Sequence, residues 1–213
     1  MSILDDDDRA EVSELLEDMD EPIDVHVFTQ DDCEYCEETV ALIEDVADLT
    51  DEIEMAVHDM DDPLAAELGA DHYDGGPVTV ITRDDIDGVR YFGIPSGQEF
   101  SAFLQDMISV STGEPDIDES VLEEVAEIDE PVDITVFVTP TCPHCPGAVQ
   151  TAHNFAVVNE NITANAVESQ EFMELSQEFG VRGVPQINVN GSDGEFTGAQ
   201  PPQQFLEQVK QAL

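Results

Sequence analysis

Residues 20–28 (DEPIDVHVF) return at residues 129–137 as DEPVDITVF, an offset of 109 residues. Six of the nine positions are identical, and two more exchange Ile for Val. At the same offset Cys33 falls on Cys142 and Cys36 on Cys145, and these are all 4 cysteines of the chain. A period this long marks a duplicated domain, since solenoid units repeat every ~20–50 residues. Length alone, 213 residues, sits between one domain and two. The repeat decides for two, residues 1–112 with Cys33 and Cys36 and residues 113–213 with Cys142 and Cys145.

Hydrophobic period and turn residues give each unit the same order of elements. In the first, helices are predicted over 9–20, 34–49, 63–68 and 99–110, with strands over 23–28, 53–57, 78–82 and 89–92. In the second, helices are predicted over 121–128, 147–159, 170–179 and 203–213, with strands over 132–138, 162–167, 186–189 and 195–197. Residues 111–120, with Gly113, Pro115 and four acids, read as the linker. A β-α-β start followed by α-β-β-α makes each unit an α/β fold, a four-stranded mixed sheet with helices on both faces. Each cysteine pair falls at the carboxyl end of the unit's first strand, where open α/β sheets place their chemistry.

Fifty-one acids against 5 bases give a net charge of −46, and the acids run through the whole sequence. Phosphate backbones and anionic membranes would repel such a chain, which argues against nucleic-acid and membrane partners. Self-repulsion of this size also opposes the compact state unless salt screens it, to ~3 Å at ~1 M. The expected setting is the cytoplasm of a salt-accumulating halophile, most simply an archaeon. A high-capacity Ca²⁺ binder is the rival reading, but no D-x-D-x-D-G loop with a distal Glu is present. The acid-rich residues 1–21 do not have the cationic start and apolar run of a secretory signal, and no apolar run reaches the ~18 residues of a membrane span.

Cysteines two residues apart share one side of a helical turn, with Cβ atoms ~5–6 Å apart. A disulfide needs ~3.5–4.5 Å, so the pair closes only if the first cysteine stands at the helix start, where the backbone is half helical. Unpaired N–H groups and the positive helix end stabilise a thiolate there. The pattern suits thiol–disulfide exchange, in which the first sulfur attacks and the second resolves the mixed disulfide. Two other readings stay open, a zinc site and inert thiols. Zinc-binding pairs usually stand ~15–20 residues apart, whereas 105 residues separate these two.

Cys33-Glu34-Tyr35-Cys36, Cys142-Pro143-His144-Cys145, a proline opening the third strand of each unit and Arg90-Tyr91-Phe92-Gly93-Ile94-Pro95 together resemble the thioredoxin/glutaredoxin superfamily. More closely, the chain resembles archaeal protein disulfide oxidoreductases, which join two thioredoxin folds in tandem. The resemblance implies protein dithiol–disulfide exchange with no cofactor and no metal beyond the cysteines. It implies protein thiols and disulfides as substrates, with a thioredoxin-reductase-like flavoprotein as partner. It also implies cis peptide bonds at Pro77 and Pro185, with Gly76 and Val184 before them offering backbone to a substrate strand. Two further functions remain in view. One is an electron carrier between an NADPH-dependent reductase and a peroxidase, and the other an acidic chaperone-like binder.

The chain departs from typical thioredoxins in three ways. Val27 and Val136 stand where a buried acid is usual, and Asp32 and Thr141 where Trp precedes the first cysteine. Gly76 offers no side chain where the second unit has Val184, so the first unit's substrate groove is expected to be the poorer. His144, once protonated, would stabilise the Cys142 thiolate and make that pair the better oxidant. Pro146 is tolerated in the first helical turn. His26, His58, His72 and His153 show no ligand spacing and read as ordinary.

Charge ranks the two pairs. Asp31, Asp32, Glu34, Glu37 and Glu38 crowd the first, and like charge disfavours a thiolate. Residues 134–159 contain no acid, nor do residues 182–192 around Pro185. The second pair is therefore expected to dominate, on a neutral face that an acidic substrate chain can approach.

Overall fold

A computed structural model describes residues 3–213. Met1 and Ser2, which open the acid-rich N-terminal stretch and the 1–112 unit, lie outside the described residues. The first half runs α1 (Asp6–Leu16), β1 (Ile23–Thr29), α2 (Cys36–Ala47), β2 (Ile53–Asp59), α3 (Pro63–Glu67), β3 (Val78–Arg83), β4 (Ile86–Phe92) and α4 (Glu99–Thr112). The second runs α5 (Glu119–Ala126), β5 (Val132–Val138), α6 (Cys145–Val158), β6 (Ile162–Glu168), α7 (Met173–Glu178), β7 (Gln186–Val189), β8 (Gly194–Thr197) and α8 (Pro202–Gln211). The element order is the predicted one, twice over.

Side-chain caps explain where boundaries differ from the apolar spacing. Asp5 accepts from the N–H groups of Asp7 and Asp8, so α1 starts before residue 9. The N–H groups of Gln170 and Glu171 turn to the Glu168 carboxylate, so α7 begins only at Met173. Ser111 is fully buried inside α4, its hydroxyl bonded to the backbone of Asp20 and Glu21. Ser111 and Thr112 therefore belong to the helix and not to the connection, which starts at Gly113 (φ 69°).

The two four-stranded sets do not stand apart. They join edge to edge in one 8-stranded sheet, ordered β2-β1-β3-β4-β6-β5-β7-β8. The seam is a parallel pairing of β4 with β6, Val89 to Phe92 facing Ala164 to Val167. Gly88 permits it, since a Cβ there would lie 2.4 Å from the Ile162 carbonyl oxygen.

Sheet registers fix where the cysteines sit. β1 is antiparallel to β3 and β3 to β4, while β4, β6 and β5 are parallel in turn. β1 and β5 therefore run the same way and deliver both pairs to the same edge of the sheet. They are four strand spacings apart, about 19 Å.

Side chains alternate between the two faces. Val25, Val27, Tyr91, Ile134 and Val136 join a large core with α1, α2, α4, α5, α6 and α8. Phe28, Val78, Phe92, Phe137 and Val167 form a smaller core with α3 and α7. Among the described residues no helix is long and apolar enough to cross a membrane.

Candidate active site

Cys33–Cys36 and Cys142–Cys145 are both closed as disulfides, with Cα atoms 5.5 Å apart in each pair. The helix begins at the second cysteine of each pair, not the first. Tyr35 and His144 occupy the N-cap positions without a side-chain cap bond. The first cysteine thus lies in the turn ahead of the helix, facing the unpaired N–H groups of its first turn. Acids Glu37 and Glu38 occupy that turn in α2, whereas α6 has none there.

The peptides before Pro77 and Pro185 are both cis. The Pro77 carbonyl accepts from Gly93 N–H and the Pro185 carbonyl from Gly198 N–H, the same bond in each half. A side chain at residue 76 would meet Cys36 Sγ at 3.8 Å, which puts Gly76 directly against the first pair. Val184 packs on the cluster that holds Cys142 and Cys145.

The first pair has a groove after all. About 390 Å³ opens beside half-buried Cys33, between Gln30, Glu34, Tyr35 and Gly75–Gly76 on one side and residues 170–175 of the second half on the other. Reading each half alone missed that second wall, because it comes from the other unit.

The second pair is enclosed, with Cys142 8% exposed and Cys145 fully buried. Pro143 and His144 between them are exposed. A separate hollow of about 820 Å³ runs past Val184 and Pro185, lined also by Phe179, Arg182 and Glu195.

The structure adds a group that the sequence reading did not single out. Gln98 N–H donates to the Pro140 carbonyl at 2.9 Å, and Asp106 meets His153 Nδ1 at 2.6 Å. α4 and α6 therefore run side by side in the same direction. Their starts adjoin, which brings Glu99 next to the entry of α6 at the second pair. Glu99 is 3% exposed, and neither carboxyl oxygen has a hydrogen-bond partner among the described residues. Burial, and then the Asp106 carboxylate, push its carboxyl up to about 8. A buried acid of the first half thus stands near the start of α6, while Val136 occupies the position where thioredoxins carry theirs. Deeper along the same helices, Tyr91 O–H donates to Asp106, and His153, read from sequence as ordinary, is buried against it. Their signal was the spacing of Glu99 and Asp106, seven residues apart on the apolar face of α4.

A carboxyl raised from 4.5 to about 8 binds its proton more tightly in the folded chain than in the unfolded one. Its contribution to stability therefore falls as pH rises through that window. Glu99→Gln should flatten the decline of the thermal midpoint between pH 5 and 8 and raise the midpoint at pH 8. Parallel midpoint-against-pH curves for the two proteins would refute the assignment.

A thioredoxin domain family model matches residues 132–211. The alkyl hydroperoxide reductase AhpF of Pseudomonas aeruginosa is 26% identical over 184 residues, 86% of this chain but 33% of that protein. The corresponding AhpF of Staphylococcus aureus is 29% identical over 106 residues, 50% of this chain and 20% of its own length. The chain thus spans a third or less of these curated relatives. The crystal structure of a protein disulfide oxidoreductase from Aeropyrum pernix superposes with a TM-score of 0.86 at 29% identity, covering 98% of this chain and 94% of that one. The NTD_N/C domain of alkyl hydroperoxide reductase AhpF from Enterococcus faecalis shares the fold, with a TM-score of 0.86 at 21% identity over 97% of this chain and 99% of that one. The fold is a tandem of two thioredoxin-like folds, with a thioredoxin domain model matching residues 132–211 and a protein disulfide oxidoreductase of known structure superposing over nearly the whole length.

Proposed function

We propose that the protein is a dithiol–disulfide oxidoreductase built of two units, residues 1–112 and 113–213, with the Cys142–Cys145 pair dominant. The observation that carries this reading is the repeated constellation of a closed Cys-x-x-Cys at a strand–helix turn and a cis-proline at the start of the third strand. Cys142 is the attacking sulfur and Cys145 the resolving one, with Pro143 and His144 tuning the pair. Cys33 and Cys36 form the accessory site. Gly76–Pro77 and Val184–Pro185 offer the backbone on which a substrate strand docks. Protein thiols and disulfides are the substrates, and no cofactor beyond the sulfurs is needed for exchange. With about 19 Å between β1 and β5, the two pairs act separately and do not trade disulfides within one chain in this conformation.

A second reading is favoured by the likeness to the Pseudomonas aeruginosa alkyl hydroperoxide reductase AhpF over 86% of the chain. In it the protein carries electrons from a flavoprotein reductase of the thioredoxin-reductase type to a peroxidase. The charge of −46 supports a salt-rich cytoplasm, as in a halophilic archaeon, because screening is then what makes the compact state tolerable.

An insulin-reduction assay with dithiothreitol in ~3 M KCl tests the function. The wild-type chain should precipitate insulin B chain well ahead of a variant with all four cysteines changed to Ser. Equal rates for the two proteins would leave only an acidic binder whose sulfurs are incidental.

A further inference from the structure

The groove at Cys33 contains one acid unlike its neighbours. Asp32, Glu34, Asp74 and Glu174 are exposed around its mouth. Glu171 is only half-exposed, and its Oε1 accepts from Ile94 N–H at 3.0 Å, while Oε2 is buried without a partner among the described residues. Close packing fixes it there, since a Cβ at Gly93 would lie 3.2 Å from its carboxyl carbon. Gly93 is also the residue that bonds to the Pro77 carbonyl, so Glu171 is tied to the cis-proline loop of the other half.

We propose that Glu171, a residue of the second half, is the proton-exchanging group of the Cys33–Cys36 pair in the first half. This rests on the thiol–disulfide exchange proposed above. In the reduced protein the Glu171 carboxylate takes the Cys33 thiol proton. The thiolate pair forms a bond to one sulfur of a substrate disulfide, and the substrate S–S bond breaks. The electron pair leaves on the other sulfur, which takes the proton back from Glu171 within the same groove. Cys36 then attacks Cys33 Sγ, the mixed disulfide breaks, and the second substrate sulfur departs with the proton that Cys36 releases. One substrate disulfide becomes two thiols as the two cysteine thiols become one disulfide.

The surroundings give Glu171 this task. Among the described residues every charged group lining the groove is an acid, Glu174 beside Glu171 and Asp32, Glu34 and Asp74 from the first half, with Glu168 and Glu38 close enough to act on Glu171. A Cys33 thiolate forms poorly among them, so a nearby acceptor is needed at the moment of attack. Burial first, then Glu168, Glu38 and Glu34, push the Glu171 carboxyl up to about 7 against the pull of the Ile94 N–H. An acceptor titrating near neutrality can both take and return a proton. Tyr35, also lining the groove, is raised above its usual range by Glu34 first, which leaves it no acid at this pH.

The test uses the full chain carrying Cys142→Ser and Cys145→Ser, reduced, in ~3 M KCl at pH 7. Two neutral disulfides are compared. The alkylthiolate leaving from 2-hydroxyethyl disulfide needs a proton, whereas the thiopyridone leaving from 2,2′-dithiodipyridine does not. Adding Glu171→Gln should slow both reactions, since each needs the Cys33 proton removed, and should slow the first by roughly a further 10-fold or more, since only there must the proton be returned. Glu171→Asp, which keeps the carboxyl but withdraws it by one methylene, should show a smaller loss with the same selectivity, and it serves if the Gln variant does not fold. Equal losses on both disulfides, or none on either, would overturn this assignment alone. A parent protein inert to both disulfides would overturn exchange at the first pair as well.

Discussion

Cys142→Ser should reduce insulin-reduction activity to about 1% of wild type or less, while Cys33→Ser keeps half or more. The expectation has to outweigh exposure, which points the other way. Cys33 is the more exposed of the two attacking sulfurs and has a groove beside it, whereas Cys142 is 8% exposed. Thiolate chemistry decides the ranking. Cys33 sits among Asp32, Glu34, Glu37 and Glu38, and a negative neighbour at each side raises the energy of a second negative charge. The first turn of α6 contains no acid, so the positive helix end acts unopposed on Cys142. Iodoacetamide should accordingly label Cys142 at lower pH than Cys33. Faster alkylation of Cys33 at pH 6–7, or a larger activity loss in Cys33→Ser, would reverse the ranking.

Those same residues show how far the sequence could be read. The offset of 109 delivered the duplication and both cysteine turns, hydrophobic period delivered the element order, and the family resemblance supplied both cis-prolines, because each of these is a local device written twice. The seam between the halves has no such signature. β4 and β6 read as ordinary strands, and nothing in their period says that an edge of one unit pairs with an edge of the next. The Arg90–Pro95 motif supported the family resemblance, yet its physical role appears only at that seam. Tyr91 donates to Asp106, Phe92 packs edge-on against Tyr73 and Phe172, Gly93 makes room for Glu171, and Ile94 N–H holds it. Glu99 and Glu171 were hidden for a simpler reason. In a chain with 51 acids, two buried ones do not stand out by residue type.

Severing the chain at Gly113 should therefore cost far more than one covalent bond. Each half has about the length of an ordinary domain, and the thioredoxin model fits residues 132–211 by themselves, which favours independent folding. The seam argues against it. Separation bares the β4 and β6 edges and uncovers Val89, Tyr91, Phe92, Ala164, Ala166, Val167 and Phe172, all 5% exposed or less in the whole chain. At ~1.5–3 kcal/mol for each large side chain, the sum approaches the ~5–15 kcal/mol that stabilises a typical domain. His153 loses Asp106 and Ile94 loses Glu171, while Thr135 loses the Tyr73 hydroxyl at 2.7 Å and keeps only Asp133, so hydrogen bonds that span the seam are forfeited. Residues 1–112 and 113–213, expressed separately in ~3 M KCl, should show no cooperative thermal transition or one lowered by more than about 15 °C. Mixing them should restore part of the lost transition, because the seam needs no peptide bond to form. Two cooperative transitions within a few degrees of the intact protein would mean that the shared sheet is an abutment of independent domains, and the role given to Glu171 across it would lose its structural basis.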